Sequence, residues 1–246
     1  MPGDDWCRGR RLMRVLLIGA TGAIGRPLVR MLVDAGHSVT GTTRSRGGVT
    51  LLRGLGAAAV VADVLEPEAI REAVAASGPD AVIHQATDLS AGFGIERLRA
   101  TARIRTTGTR NVIAAMRAES VPRLIAQSAA WLYAGGREPH VEADPLGAVG
   151  DGEAVTLEGI AQLERLVLGT PGVEGTVLRY GLLYGPGTVG DTPDAHPAVH
   201  VNAAAAAAAL ALEHGSAGIF NIVDDGESVS NALARRVLGW RPMTPG

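Results

Sequence analysis

The chain has 246 residues, of which 46% are hydrophobic and 20% charged, with a formal net charge of -2, which excludes a disordered or collagen-like chain and suffices for one large domain. The near-neutral charge and the lack of a polybasic arm argue against nucleic acid as a partner. An alanine-rich run at 203–212 is the longest apolar stretch and is too short to cross a bilayer. We therefore expect a cytoplasmic protein without a membrane partner.

The sequence contains no lysine, because all 23 basic residues are arginine. This excludes Schiff-base chemistry, a phosphate-loop lysine and a Tyr-x-x-x-Lys pair. The only cysteine, Cys7, cannot form an internal disulfide. It lies in a polar segment at 1–12 that we expect to be a disordered leader, and 13–246 is predicted to be a single domain.

Strand-like and helix-like segments alternate along the chain. Branched apolar residues at 14–18 predict a strand buried on both faces, and apolar residues from Ile24 onward recur at helical spacing up to a stop at Gly36. Further strands are predicted at 38–42, 57–62, 80–84, 123–127, 173–179 and 218–223, and further helices at 49–55, 67–77, 95–117, 153–168, 202–214 (with Asn202 as its N-cap) and 230–238. This alternation predicts an α/β fold with a doubly wound, parallel, Rossmann-like sheet. Residues from about 180 onward are expected to form a small C-terminal lobe on the substrate side.

A glycine-rich turn directly joins the first strand to the first helix. Its G-x-x-G-x-x-G pattern allows a tight turn and brings backbone amides close to a dinucleotide pyrophosphate at the helix N-terminus. The alternative is a purely structural turn, since the chain has 33 glycines. The predicted cofactor-binding residues here are Gly19, Thr21, Gly22, Ala23, Ile24 and Gly25.

The end of the second strand carries arginines and no carboxylate. An acidic residue there would hold the ribose hydroxyls of NAD, whereas Arg44 and Arg46 suit the 2′-phosphate of NADP. The alternative is a pair of solvated loop arginines. Asp63 and Val64, after the third strand, are placed to meet the adenine, although an aspartate there also suits a turn or a helix cap.

Several motifs together resemble the extended or atypical short-chain dehydrogenase/reductases of the NAD-dependent epimerase/dehydratase kind. These are the glycine turn, Asp80-Ala-Val-Ile-His84-Gln-Ala86, Gly108-Thr109-Arg-Asn111, Gln127-Ser128-Ala129, Leu178-Arg-Tyr180-Gly-Leu-Leu-Tyr184-Gly-Pro-Gly187 and Leu238-Gly-Trp240-Arg-Pro242. The resemblance implies that Gln85, Ala86 and Thr87 pass behind the adenosine ribose. It also implies that Ser128 hydrogen-bonds the reacting oxygen and that the segment from Tyr180 to Leu182 lines the nicotinamide side.

The chain departs from this family at the acid/base residues. Aligning Glu164 with the usual helix glutamate places Thr156 and Ile160 where the catalytic tyrosine and lysine belong. Arg105 stands in place of the usual helix asparagine.

Ser128 and Tyr133 are therefore the candidate catalytic residues. Tyr133 could replace the missing acid with Arg105 as its cationic neighbour, or it could be a loop residue that packs on Trp131, with Arg105 on a solvated helix face. His84 is more typical of a core histidine than of a base.

A metal site is not expected. His196 and His200, with Asp191 and Asp194 nearby, have metal-like spacing, but Pro197 opposes a shared helical face for the two imidazoles.

We therefore expect an NADP-dependent oxidoreductase, with NAD the less favoured cofactor, that acts on a small carbonyl or alcohol by hydride transfer. The alternatives are an NADP-binding protein without redox turnover, or a lyase, isomerase or cyclase that reuses the pocket. A homodimer is implied by the resemblance only.

Overall fold

A parallel sheet of seven strands forms the centre of the molecule in a computed structural model, which describes residues 11–243 except 90, 91, 93, 149, 194, 196 and 216. The strands are β1 (Arg14–Ile18), β2 (Ser38–Thr43), β3 (Ala58–Val61), β4 (Ala81–His84), β5 (Arg123–Ala129), β6 (Glu174–Tyr180) and β9 (Gly218–Ile222). Their order is β3-β2-β1-β4-β5-β6-β9, and every pairing is parallel. The predicted α/β, doubly wound class is confirmed.

Helices cover both faces of this sheet. They are α1 (Gly25–Asp34), α2 (Arg46–Gly54), α3 (Pro67–Ser77), α4 (Ile95–Arg103), α5 (Thr109–Ala118), α6 (Asp151–Gly169), α7 (Val201–His214) and α8 (Ala232–Leu238). One apolar core lies between the sheet and α1, α2, α7 and α8, and a second lies between the sheet and α3, α5 and α6. No helix in the described part of the chain is both long and apolar enough to span a bilayer.

The helix predicted at 95–117 is continuous in the structure but contains a π-helical turn. A π-helical segment, Ile104–Gly108, separates α4 from α5. α4 packs closely on α6, since a side chain at Gly159 would come within 2.9 Å of the Ala102 Cα atom. Ile104, Arg105 and Gly108 of the π-helical segment are buried.

A second sheet, which the sequence did not reveal, is formed by residues between β6 and α7. Its two parallel strands are β7 (Leu182–Tyr184) and β8 (Ala198–His200). Each has three residues, which is too few for a periodic pattern. The predicted N-cap Asn202 is wrong, because His200 precedes α7 and its Nδ1 accepts the Asn202 N–H at 3.3 Å.

Candidate functional site

A cavity of about 330 Å³ opens at the carboxyl edge of the sheet. It lies at the end of β1, where the strand order reverses: β2 is the neighbour of β1 on one side and β4 on the other. Doubly wound sheets bind ligands at this point. The residues predicted for the cofactor or for catalysis that line it are Gly19, Thr21, Gly22, Ala23, Ile24, Gly25, Arg44, Asp63, Val64, Gln85, Ala86, Thr87, Ser128 and Tyr180. Arg46 and Tyr133 are not among the described lining residues.

The glycine turn forms one wall of this cavity. Gly19 has φ +84, and a Cβ atom there would lie 2.7 Å from the Ala86 nitrogen. The turn closes with the Gly22 N–H donating to the Gly19 carbonyl at 3.0 Å. Helix α1 then begins at Gly25 with no acidic residue in its first turn, so its positive end faces the cavity side and suits an anion.

Arg44 follows β2 and is exposed at the cavity. No hydrogen bond or ion pair joins its side chain to another described residue, so its guanidinium can take an external anion. Arg46 is instead the first residue of α2, whose N-cap Ser45 accepts the Gly48 N–H at 3.1 Å. Two arginines were predicted to bind the 2′-phosphate. Arg44 lines the cavity, whereas Arg46 is not among the described lining residues.

The loop after β3 combines a structural turn with a cavity wall. Asp63 Oδ1 accepts the Leu65 N–H at 2.9 Å while Asp63 also lines the cavity. The Val64 carbonyl accepts a hydrogen bond from the Asn111 amide at 3.0 Å. Both sequence interpretations of Asp63, as a turn residue and as a cavity residue, are therefore compatible with the structure.

Buried polar groups without partners face the cavity from β4 and β6. Neither amide atom of Gln85 has a hydrogen-bond partner among the described residues, nor does the Tyr180 hydroxyl, although Gln85 lies near it. Burial raises the pKa of Tyr180 above its ordinary value, so it stays protonated at neutral pH. Unsatisfied groups of this kind are costly unless a ligand pairs with them, so the cavity fits a large polar molecule such as a dinucleotide.

Ser128, the last residue but one of β5, is the first member of a buried polar chain. Its hydroxyl donates to Glu164 Oε1 at 2.8 Å. The same carboxylate accepts two hydrogen bonds from Arg179, from Nε at 2.8 Å and from Nη2 at 2.7 Å. Because a hydroxyl has a single proton, Ser128 cannot donate to a reacting oxygen while it is bonded to Glu164.

Tyr133 lies at the other end of this chain and away from the cavity. Its hydroxyl donates to Asn221 at 2.7 Å and accepts from Arg179 at 2.9 Å, and its ring stacks on His140. Burial raises the pKa of Tyr133, although the neighbouring guanidinium opposes the effect. Its cationic neighbour is therefore Arg179 and not Arg105, and Trp131 takes the cavity-lining position in this loop.

The positions that should hold the family's tyrosine and lysine do not reach the cavity. Thr156 is buried in α6 with its hydroxyl donating to the Gly152 carbonyl at 2.9 Å, and Ile160 is part of a core cluster. His84 is also in the core, where burial lowers its pKa to about 4. It is neutral at pH 7 and too weak a base for proton transfer there.

Arg105 does not lie on a solvated helix face, contrary to that expectation. It is 1% exposed, lies in the π-helical segment and lines the cavity. Sequence analysis also missed two apolar lining residues, Trp131 and Leu183. These residues follow strand ends in loops or short strands, where no periodic signal identifies them.

The metal-like spacing finds no support in the described residues. His196 and Asp194 lie outside them. His200 caps α7 and packs its ring edge-on against Tyr184. Within the described ranges no three His, Cys, Asp or Glu side chains are grouped as metal ligands.

Comparison with known proteins identifies one family. The model of the NAD dependent epimerase/dehydratase family matches residues 15–216. A 3-diazoavenalumate denitrifying reductase from a Streptomyces species is 40% identical over 227 residues, or 90% of this chain and 71% of the relative. A 2-alkyl-3-oxoalkanoate reductase from Stenotrophomonas maltophilia is 28% identical over 244 residues, or 95% of this chain and 67% of the relative.

The fold is also that of solved family structures. UDP-glucose-4-epimerase from Stenotrophomonas maltophila, solved with bound NAD and formylated UDP-arabinopyranose, superposes with a TM-score of 0.78 at 18% identity. The match covers 95% of this chain and 94% of that one.

Proposed function

This chain belongs to the NAD-dependent epimerase/dehydratase family, and we propose that it is an NADP-dependent reductase that transfers a hydride to a small organic substrate. The observation that carries the proposal is a single cavity lined by the glycine turn and Arg44 as well as by Ser128. The two relatives named as reductases support the redox part of it.

The residues around the cavity suit NADP in four places. The amides of the glycine turn and the N-terminus of α1 would hold the pyrophosphate. Arg44, which has no ion-pair partner among the described residues, would hold the 2′-phosphate. The segment at 63–64 would meet the adenine, and Gln85 with Tyr180 would pair their buried polar atoms with the cofactor.

Bound NADPH would supply the hydride, and the chain's own residues would orient the acceptor. Ser128, near the carboxyl end of β5, lines the cavity with its proton directed to Glu164. The bidentate bond from Arg179 fixes that carboxylate. In this arrangement Ser128 offers an acceptor to the cavity, and it becomes a donor when its hydroxyl rotates away from Glu164.

The names of the two relatives suggest the first substrates to test. Both 3-diazoavenalumate and 2-alkyl-3-oxoalkanoate carry the suffix of a carboxylate anion. A series of 2-alkyl-3-oxoalkanoates therefore forms the initial panel.

A second candidate function is NADP binding without redox turnover. It is favoured by the position of Thr156 and Ile160, which leaves Tyr180 as the only phenol among the described lining residues. Such a protein would act as a sensor or partner subunit.

Calorimetric titration with NADPH and NADH, followed by absorbance at 340 nm with the 3-oxoalkanoate panel, separates these possibilities. The reductase should bind NADPH more tightly than NADH and should oxidise it in the presence of a substrate. Binding of NADPH without any decrease in absorbance supports the second function. Equal affinity for the two cofactors contradicts the assignment of Arg44.

A further inference from the structure

One arginine in the cavity wall is buried without a partner. Arg105 is 1% exposed, and its Nε has no hydrogen-bond partner among the described residues. No hydrogen bond or ion pair joins its guanidinium to any described side chain. The negative charge of Glu164 acts on it only from a distance, because that carboxylate is already bonded to Ser128 and Arg179.

The local fold explains why Arg105 does not reach solvent. An arginine on an ordinary helix face extends its head group into water. Here Arg105 is a buried residue of the π-helical segment, which begins two residues after Ala102, the residue on which Gly159 of α6 packs. π-Helical turns are frequent at functional sites.

A buried cation in this position destabilises the ligand-free protein. Burial lowers the pKa of Arg105 to about 10, against the opposing effect of Glu164, so it remains charged at neutral pH. A buried charge with unmade hydrogen bonds destabilises the fold unless something pairs with it. A ligand in the cavity, which Arg105 helps to line, would supply such an acceptor.

On the basis of the proposed function, we propose that Arg105 binds the carboxylate of an organic-acid substrate in the part of the cavity near Ser128. A guanidinium presents a planar fork of N–H donors that matches the two oxygens of a carboxylate. Trp131, Leu182 and Leu183 supply apolar surface for the rest of such a molecule.

The order of the strands separates this site from the cofactor phosphates. The glycine turn follows β1, whereas Ser128 lies near the carboxyl end of β5, and β4 lies between these two strands. Neighbouring strands are about 4.8 Å apart. Arg105 is close enough to the end of β4 and to α6 to interact electrostatically with His84 and Glu164. This places it toward the β4 and β5 side of the cavity and away from the pyrophosphate turn.

The test uses matched pairs of acids and neutral amides, which are cinnamate and cinnamamide, benzoate and benzamide, and octanoate and octanamide. Calorimetry measures their binding to the full chain, both free and loaded with NADP⁺. The parent should bind at least one acid about 10- to 100-fold more tightly than its amide, as expected for hydrogen bonds to a charged group. No preference for the acid in any pair would overturn the proposal.

Two variants assign the preference to Arg105. Arg105→Met should remove it while leaving the affinity for NADP⁺ within about twofold. Arg103→Met, an exposed control in the same helical stretch, should retain it. Arg105→Met could instead bind NADP⁺ more weakly and the acid as tightly as the parent does. That result would show that the guanidinium binds the cofactor, and would overturn the proposal.

Stability gives a readout that does not depend on the ligand. Without ligand, Arg105→Met should melt at a higher temperature than the parent, because an unpartnered buried charge is removed, and added acid should raise the melting temperature of the parent only. A lower melting temperature for Arg105→Met together with unchanged acid affinity would contradict the proposal. Failure of the parent to bind NADP⁺ contradicts the proposed function alone, because acid binding is also measured on the free protein.

Discussion

Replacement of Glu164 by glutamine tests the buried polar chain behind Ser128. The side chains of Glu164 and Arg179 are 9% and 5% exposed and pair at 2.7 Å. Burial disfavours the charged form of Arg179, but the hydrogen bonds and charge interactions with Glu164 and Tyr133 together outweigh this and raise its pKa above the ordinary value. Glu164→Gln keeps the size of the side chain and removes the charge on which this balance depends.

The expected loss of stability is large. Removal of one partner from a buried ion pair costs about 3–5 kcal/mol, because the other charge remains buried without compensation. A domain of this size loses about 2–4 °C of melting temperature per kcal/mol. Glu164→Gln should therefore melt roughly 6–20 °C below the parent.

Thermal melting and urea unfolding of the two proteins at the same pH provide the assay. Glu158→Gln is the matched control, since Glu158 is exposed on the same helix, and its effect should stay within about 0.5 kcal/mol. A Glu164→Gln protein that melts with the parent would refute the conclusion that Arg179 depends on this carboxylate.

Three further predictions concern the cavity and the core. Arg44→Ala should weaken NADPH binding about 10- to 100-fold and NADH binding little, whereas Arg46→Ala should affect both weakly, and calorimetry would contradict this if the two variants behaved alike. Because burial lowers the pKa of His84 to about 4, the unfolded chain binds a proton below about pH 6.5 that the folded chain does not. The free energy of unfolding should therefore fall by about 2 kcal/mol from pH 7.5 to pH 5 on account of this residue. Urea unfolding of His84→Leu should show a smaller loss than the parent, and an equal loss would remove the argument. Ser128→Ala should slow turnover about 10- to 100-fold per folded molecule with little change in NADPH affinity, and an unchanged rate would exclude a catalytic role.

The sheet was predictable because its signals are local. Each buried strand is a short apolar run, and each crossover helix has its own period and stop. The glycine turn identified the switch point directly, since Gly19 and Gly25 are required by a backbone approach that follows the first strand.

The polar side chains of the site were less predictable because they depend on contacts between distant segments. Ser128 meets Glu164 36 residues later, and no sequence pattern indicates that this bond occupies the serine proton. Tyr133 and Trp131 lie two residues apart in one loop, yet only Trp131 lines the cavity. Arg105 has the spacing of a helical surface residue, yet it is a buried residue of the π-helical segment.

Transfer of deuterium from cofactor to product tests the central claim most directly. The protein is incubated with NADPH carrying deuterium at both C4 positions and with the 2-alkyl-3-oxoalkanoate panel, and the masses of the products are measured by mass spectrometry. We expect a reduced product that carries one deuterium, formed in amounts equal to the NADPH oxidised, and much slower formation of this product from equally labelled NADH. NADPH that binds but is not consumed, with no deuterium in any product, would contradict the claim.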